Sequence, residues 1–236
     1  MDIGLYGGSV SRRKLVLAGA PIAAIAITLL ASGAAMVLAL LQGWPLWGIV
    51  LATLVPWAPV FSLDVVWTSR QYGWLALFYV LVVSQGGHFL EHLAQMAQIH
   101  LMDRTGPGAR GVFGQLDVEW VHFVWNTWVL AAVVVLVYRF RRNPWLWAVL
   151  LFATWHEIEH VYLLATYLDT GRPGGPGLLA DGGRLFGGLP LTRPDLHFLY
   201  NLIETIPLLL AFALELRRAR AEDGAAGRDL RAAAGR

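Results

Sequence analysis

Residues Trp155–His160 read WHEIEH, and they lie inside an apolar run from Pro144 to Leu168. The five positions from His156 to His160 hold two histidines and two glutamates where a membrane helix ordinarily carries leucine. The spacing His-x-x-Glu-His, formed here by His156, Glu159 and His160, occurs once before, as His88, Glu91 and His92 in GGHFLEHLAQ. An ionisable side chain at the centre of a bilayer costs about 2.5–3.5 kcal/mol even on lenient insertion scales. Such a cluster persists where something binds it. The run therefore reads as a membrane helix built around a ligand, and the rest of the chain reads as its scaffold.

The composition agrees. The chain has 236 residues, of which 57% are hydrophobic and only 14% charged, with 11 tryptophans and a mean hydropathy of +0.55. This excludes an ordinary soluble domain and predicts a single integral membrane bundle. There is no cysteine, which excludes disulfides and thiolate metal sites and leaves His, carboxylate, amide or water as ligands. The pI of about 9.1 does not signal nucleic acid, because the basic residues gather at the ends of the apolar runs. Lys14 is the sole lysine, and Ala and Gly abound, a bias expected of a bacterium with a GC-rich genome.

Six apolar runs predict an all-α membrane protein with transmembrane helices at about 15–41, 45–67, 72–102, 119–140, 144–168 and 194–216, and a polar tail at 217–236. The first run exceeds the short apolar core of a secretory signal. Pro56 and Pro59 predict a bend in the second. The basic residues set the orientation. With both termini cytoplasmic, Arg12, Arg13, Lys14, Arg70, Arg139, Arg141, Arg142, Arg217, Arg218, Arg220, Arg228, Arg231 and Arg236 fall inside, and only Arg104, Arg110, Arg172, Arg184 and Arg193 outside. Trp44, Trp47, Trp67, Trp120 and Trp145 lie near helix ends, as an aromatic belt requires. Asp64 and Arg70 read as surface charges at inner helix ends, and the tail as a frayed amphipathic segment on the cytoplasmic surface. Two outside loops, 103–118 and 169–193, are polar and glycine-containing, the second long enough to serve as a lid.

The polar positions repeat. Helices three and five carry His-x-x-Glu-His; helix four carries His122-Phe-Val-Trp-Asn126 and helix six His197-Phe-Leu-Tyr-Asn201; each pair ends in a basic stop, Arg139–Arg142 and Arg217–Arg220. Helices three and five run the same way, so the halves form a parallel repeat about an axis along the membrane normal, a pseudo-twofold arrangement. All seven histidines then fall in the outer half of the membrane. A transporter would continue its polar groups through the other half, and none appear there.

At about 100° per residue, each of the four helices turns a histidine-bearing stripe toward one centre. Helix bundles hold metal pairs with imidazole and carboxylate at this spacing. The expected reading is a dinuclear site with ligands His88, Glu91, His92, His156, Glu159 and His160, completed by His122 and His197. Gln95, Asn126 and Asn201 are expected to orient the imidazole N–H groups. Imidazole with carboxylate suits iron, zinc, manganese or copper and does not select among them; iron is the leading expectation, with copper or zinc possible. Glu157 and Glu204 are the candidate catalytic carboxylates, the first as a general base; Glu204 reads as a proton relay, a ligand, a partner of a neighbouring helix or a further group that orients an imidazole. His100 lies off the arc and reads as a hydrogen bond between helices.

Three function classes follow. The leading one is a metal-dependent oxidoreductase acting on a lipid-soluble substrate or a quinone, with membrane lipid as its surroundings. The second is a zinc hydrolase or protease using His156-Glu157-His160, since His-Glu-x-x-His places a base beside a metal. The third is a haem-binding or metal-handling membrane protein. The His-x-x-x-His spacing is similar to the first histidine box of membrane desaturases and hydroxylases, but their later His-x-x-His-His boxes are missing here.

Overall fold

The computed structural model describes residues 20–114, 116 and 118–234. Arg12, Arg13, Lys14 and the opening of the first apolar run lie outside the described residues. Among those described there are helices and loops and no strand, only an isolated bridge between Gly183 and Gly187.

Seven helices follow in order: α1 (Ile22–Leu41), α2 (Leu46–Leu54), α3 (Ala58–Tyr72), α4 (Leu75–His100), α5 (Glu119–Arg139), α6 (Pro144–Thr170) and α7 (Arg193–Ala234). α2 and α3 are one crossing interrupted by a 3₁₀ turn at Val55–Trp57. Pro56 sits in that turn, and Pro59 follows in the first turn of α3, so the expected bend lies where the ring removes a backbone donor.

Four segments are long and apolar enough to cross a membrane: α1, residues 46–72, α5 and residues 193–221. Their outward faces are apolar; Leu30, Leu41, Val55 and Val124 are each more than half exposed. These helices make the chain a membrane protein. α4 and α6 span 26 and 27 residues but carry the buried histidines, glutamines and glutamates, which lower their hydropathy.

The bundle is built from α4–α7. α5 packs on α6, α4 on α7, α6 on α7 and, less extensively, α4 on α5, so the four helices close a ring. α3 packs on α4, and α1 lies outermost against α2, where the Ser32 hydroxyl donates to the Thr53 carbonyl at 2.6 Å. Local chemistry sets the boundaries of α6. Asn143 caps its start by accepting from the Trp145 N–H, Pro144 stands at its first position, and Gly171 ends it in the left-handed conformation at φ +67°. The Asn143 amide also donates to Glu215 and to the Ala211 carbonyl, both at 2.9 Å, fixing the start of α6 against α7.

One end of the ring is dry. Leu75, Phe78, Leu81, Val133, Leu136, Leu146, Val149, Leu208 and Ala211 fill it, each no more than 3% exposed. Apart from Asn143 and Glu215 at its rim, the buried polar side chains of α4–α7 lie toward the other end, beneath the loops 101–118 and 171–192.

Two sequence expectations are corrected. Asp64 is not a surface charge: it is fully buried, and the Tyr79 hydroxyl of α4 donates to it. α3 runs to Tyr72, five residues beyond the expected end, which draws Asp64 from the helix terminus into its interior. The tail does not fray after Leu216; α7 continues to Ala234. Its Ala and Arg residues are strong helix formers, enough to carry the helix through two glycines.

Candidate metal centre

Six histidines from four helices meet at the loop end of the ring. His88 and His92 come from α4, His122 from α5, His156 and His160 from α6, and His197 from α7, and none is more than 8% exposed. They form two triads, His88–His92–His122 and His156–His160–His197, within each of which one ligand nitrogen per residue lies within 4.8 Å of the others. The i, i+4 spacing brings the two rings of each unit to the same centroid separation, 4.8 Å in both cases. The third ring lies 5.4 Å from His88 in one triad and 5.6 Å from His156 in the other. The triads adjoin: the His122 and His160 rings stack at 5.1 Å and 9°.

An aromatic ring backs each triad. Trp125 lies 5.1 Å from His88, and Tyr200 lies 5.1 Å from His156. These are corresponding positions, three residues after His122 and His197.

The nitrogens fit a metal. A buried polar atom without a partner costs about 1–3 kcal/mol. Among the described residues seven buried ring nitrogens make no close hydrogen bond: Nε2 of His88, both nitrogens of His92 and of His122, Nδ1 of His160 and Nε2 of His197. Gln95 lies beside His92, and the Val118 backbone beside His122. Other nitrogens are engaged in a way that fixes the tautomer. His197 Nδ1 lies 2.9 Å from the Arg193 carbonyl and can only donate to it, which leaves the Nε2 lone pair for the triad. His156 Nδ1 lies 2.9 Å from Glu204 Oε1, and its Nε2 faces His160 Nε2 at 3.1 Å.

The two glutamates of the His-x-x-Glu-His units are not among the triads. Glu91 Oε2 accepts from the N–H groups of Val112 and Phe113 at 2.8 and 3.1 Å, and Glu159 Oε1 from Leu178 N–H at 2.8 Å. Each anchors the loop that follows its own helix. Val112 and Leu178 each directly follow a left-handed glycine, Gly111 at φ +78° or Gly177 at φ +71°, whose missing Cβ leaves room for the carboxylate. A side chain on either glycine would collide with that carboxylate.

The other expected residues are placed as follows. Asn126 and Asn201 donate to the carbonyls of His122 and His197 on their own helices, both at 2.9 Å, so they brace the backbone rather than orient a ring. The Gln95 amide donates to the Ala109 carbonyl at 2.9 Å and lines a small void with His92, His122 and His197. Glu157 accepts from the Thr127 hydroxyl at 2.7 Å and is not part of a triad. His100 bonds Asp195 at 2.7 Å and joins the ends of α4 and α7, the interhelical role expected of it.

Sequence reading missed three participants. Gln85 donates to Asn201 at 3.0 Å, lies 3.5 Å from Glu204, and accepts from the Trp125 indole at 3.3 Å. Gln98 pairs with both the N–H and the carbonyl of Gly111 at 2.9 Å, holding the first loop down. Arg193 grips Glu119 with two bonds of 2.8 and 2.7 Å, tying the starts of α5 and α7 over the histidines. Beneath this pair lies the small void, of about 20 Å³, bounded by His92 and His122 from one triad and His197 from the other. That is room for one water-sized ligand.

Compared with known protein families, curated proteins and solved structures, the chain finds no match. The functional reading therefore rests on the chemistry of these residues.

Proposed function

We propose that the chain is a membrane oxidoreductase whose six buried histidines hold two metal ions, one per triad. The observation that carries this reading is the set of seven ring nitrogens that make no close hydrogen bond, gathered in two matching, adjoining triads. A hydrogen-bonded polar core would satisfy those nitrogens with one another or with amides and hydroxyls. Bound metals would satisfy them directly.

The triads are imidazole alone, with Glu91 and one oxygen of Glu159 serving the loops. Three neutral nitrogens per ion suit copper, iron, nickel or zinc, and affinity along the first row peaks at copper. We place copper first and iron second. Such ions would supply reversible electron exchange and Lewis acidity.

The chain's own residues perform the rest. The Glu204 carboxylate and the Arg193 carbonyl hold His156 and His197 in tautomers that present Nε2. The void between the triads admits a water-sized molecule touching both halves. Glu204, which accepts from the Gln85 amide, is the carboxylate placed to exchange a proton beside His156. The loops, fastened by Glu91, Gln98, Glu159 and Glu119, exclude bulk water. Against hydrolysis stands the position of Glu157, which lies outside the triads with one carboxylate oxygen taken by the Thr127 hydroxyl.

In this reading α4 and α6 also cross the membrane, giving six crossings with both termini cytoplasmic and the triads in the outer half of a bacterial cell membrane. The matching distances in the two halves support a duplicated α4–α5 and α6–α7 unit. The substrate would be a lipid-soluble molecule or a quinone reached between helices. The deciding experiment is elemental analysis with an optical spectrum of the detergent-purified protein. Two equivalents of copper or iron per chain are expected. One equivalent of zinc would redirect the reading to hydrolysis, a Soret band to haem, and no metal after growth in metal-replete medium would overturn it.

A further inference from the structure

Outside the histidine cluster, the loop 171–192 walls a second cavity of about 130 Å³ against α6. Arg172 and Arg184 line it, with Glu119, Tyr162, Thr166 and Gly175. Among the described residues neither arginine has an ion-pair partner. The acid in the wall is already engaged: Glu119 takes both Arg193 bonds and accepts from the Gly174 N–H at 3.1 Å. Glu119 and Arg193 cancel, and two exposed guanidinium groups remain to set the sign of the cavity. It takes an anion.

Its size and geometry narrow the choice. A cavity of about 150 Å³ accommodates a six-membered ring, so this one holds a compact group and excludes a bulky one. Two forked guanidinium groups approaching from separate parts of the loop match a tetrahedral oxyanion, which offers oxygens in several directions.

The same loop carries a second feature. Phe186, two residues after Arg184, is wholly exposed and stands at φ +55°, and nearby Leu189 is 44% exposed. A bulky residue in the left-handed region costs about 1–2 kcal/mol. The loop ends where α7 begins, at one end of a membrane-spanning segment. An aromatic side chain held outward at that level would suit an interfacial anchor, its ring toward acyl chains and the neighbouring arginines toward phosphate depth.

We propose that the Arg172–Arg184 cavity is a phosphate-binding site and that its occupant is the headgroup phosphate of an anionic phospholipid. The site is independent of the metal reading.

The test uses the full chain in detergent, titrated with short-chain phosphatidylglycerol and, separately, with inorganic phosphate, read by thermal shift and native mass spectrometry. Wild type is expected to bind phosphatidylglycerol saturably, at about one lipid per chain. The Arg172→Ala, Arg184→Ala double variant should lose about 10- to 100-fold in affinity, as removal of one or two charge-assisted hydrogen bonds implies. The Arg172→Lys, Arg184→Lys variant checks folding and should bind at an intermediate level. Phe186→Ser should weaken the lipid and leave inorganic phosphate unchanged. Binding of inorganic phosphate but not lipid, lost in the alanine variant, would keep the phosphate chemistry and overturn the lipid assignment. Equal binding of both ligands by wild type and the alanine variant would overturn the site.

Discussion

In the α4–α5 half, His88 faces Trp125 at 5.1 Å; in the α6–α7 half, His156 faces Tyr200 at the same distance, but its Nδ1 also meets the Glu204 carboxylate. Seven residues after His122, where Glu204 follows His197, the first half has Val129, which is 1% exposed. Among the described residues His92 and His122 of the first half make no close hydrogen bond from either nitrogen, with Gln95 and the Val118 backbone beside them, while two of the three second-half rings are held by outer hydrogen bonds of 2.9 Å. The scaffold is matched and its backing is not. Two equivalent sites would fill together. These are expected to fill in order, the α6–α7 triad first, because a carboxylate behind an imidazole raises its basicity and fixes its orientation.

The largest expected effect is on stoichiometry. His92→Ala and His160→Ala should each remove one metal from the purified protein and retain the other, and the double variant should hold none. Elemental analysis reads this directly, and loss of both metals in either single variant would mean one shared centre instead of two. The apo double variant should also unfold at lower temperature, since bound metal stabilises only the folded state.

Next is Glu204→Gln. It should weaken the α6–α7 site about 10- to 100-fold and leave the α4–α5 site unchanged, so that a two-step metal titration collapses toward one step. Parallel weakening of both sites would break the comparison.

A smaller effect tests what the halves share. Gly111→Ala and Gly177→Ala each set a Cβ against the glutamate carboxylate at a left-handed position, and each should cost about 1–3 kcal/mol. Matched losses of thermal stability, with faster proteolysis confined to the adjoining loop, are expected. An effect at one glycine alone would show that the two loops are anchored differently. The smallest effect is His100→Ala. Its ring is 55% exposed, and loss of the Asp195 bond should lower stability by less than about 1 kcal/mol and leave metal content unchanged.

Much of this was legible in the chain before any coordinates. The i, i+4 histidine pairs and the His/Asn pairs of the following helices identify all six triad residues, because side chains four apart share a face. The same rule put Glu91 and Glu159 with the histidines, and the structure sets an oxygen of each against a loop instead. At i+3 and i+4 the glutamate and the second histidine diverge by about 100° around the axis, and only one can turn to the centre. Which one does depends on the loop that folds back to meet the other, and a glycine twenty residues on gives little local sign of that. Glu119 with Arg193 was equally hidden: its members are 74 residues apart, and each alone reads as a charge in a first helical turn. Asp64 was misread from a helix end placed five residues too early.

The dry end of the ring has a consequence for energetics. A charge carried across the whole membrane exchanges about 2.3 kcal/mol per 100 mV with the field. Here the apolar plug from Leu75 and Phe78 to Leu208 and Ala211 closes one end, and the histidines lie against the other. Electrons and protons that reach the centre must arrive and leave by the loop face or sideways from lipid. In the proposed oxidoreductase the cycle would therefore be electrically silent, with turnover neither building nor draining a membrane potential.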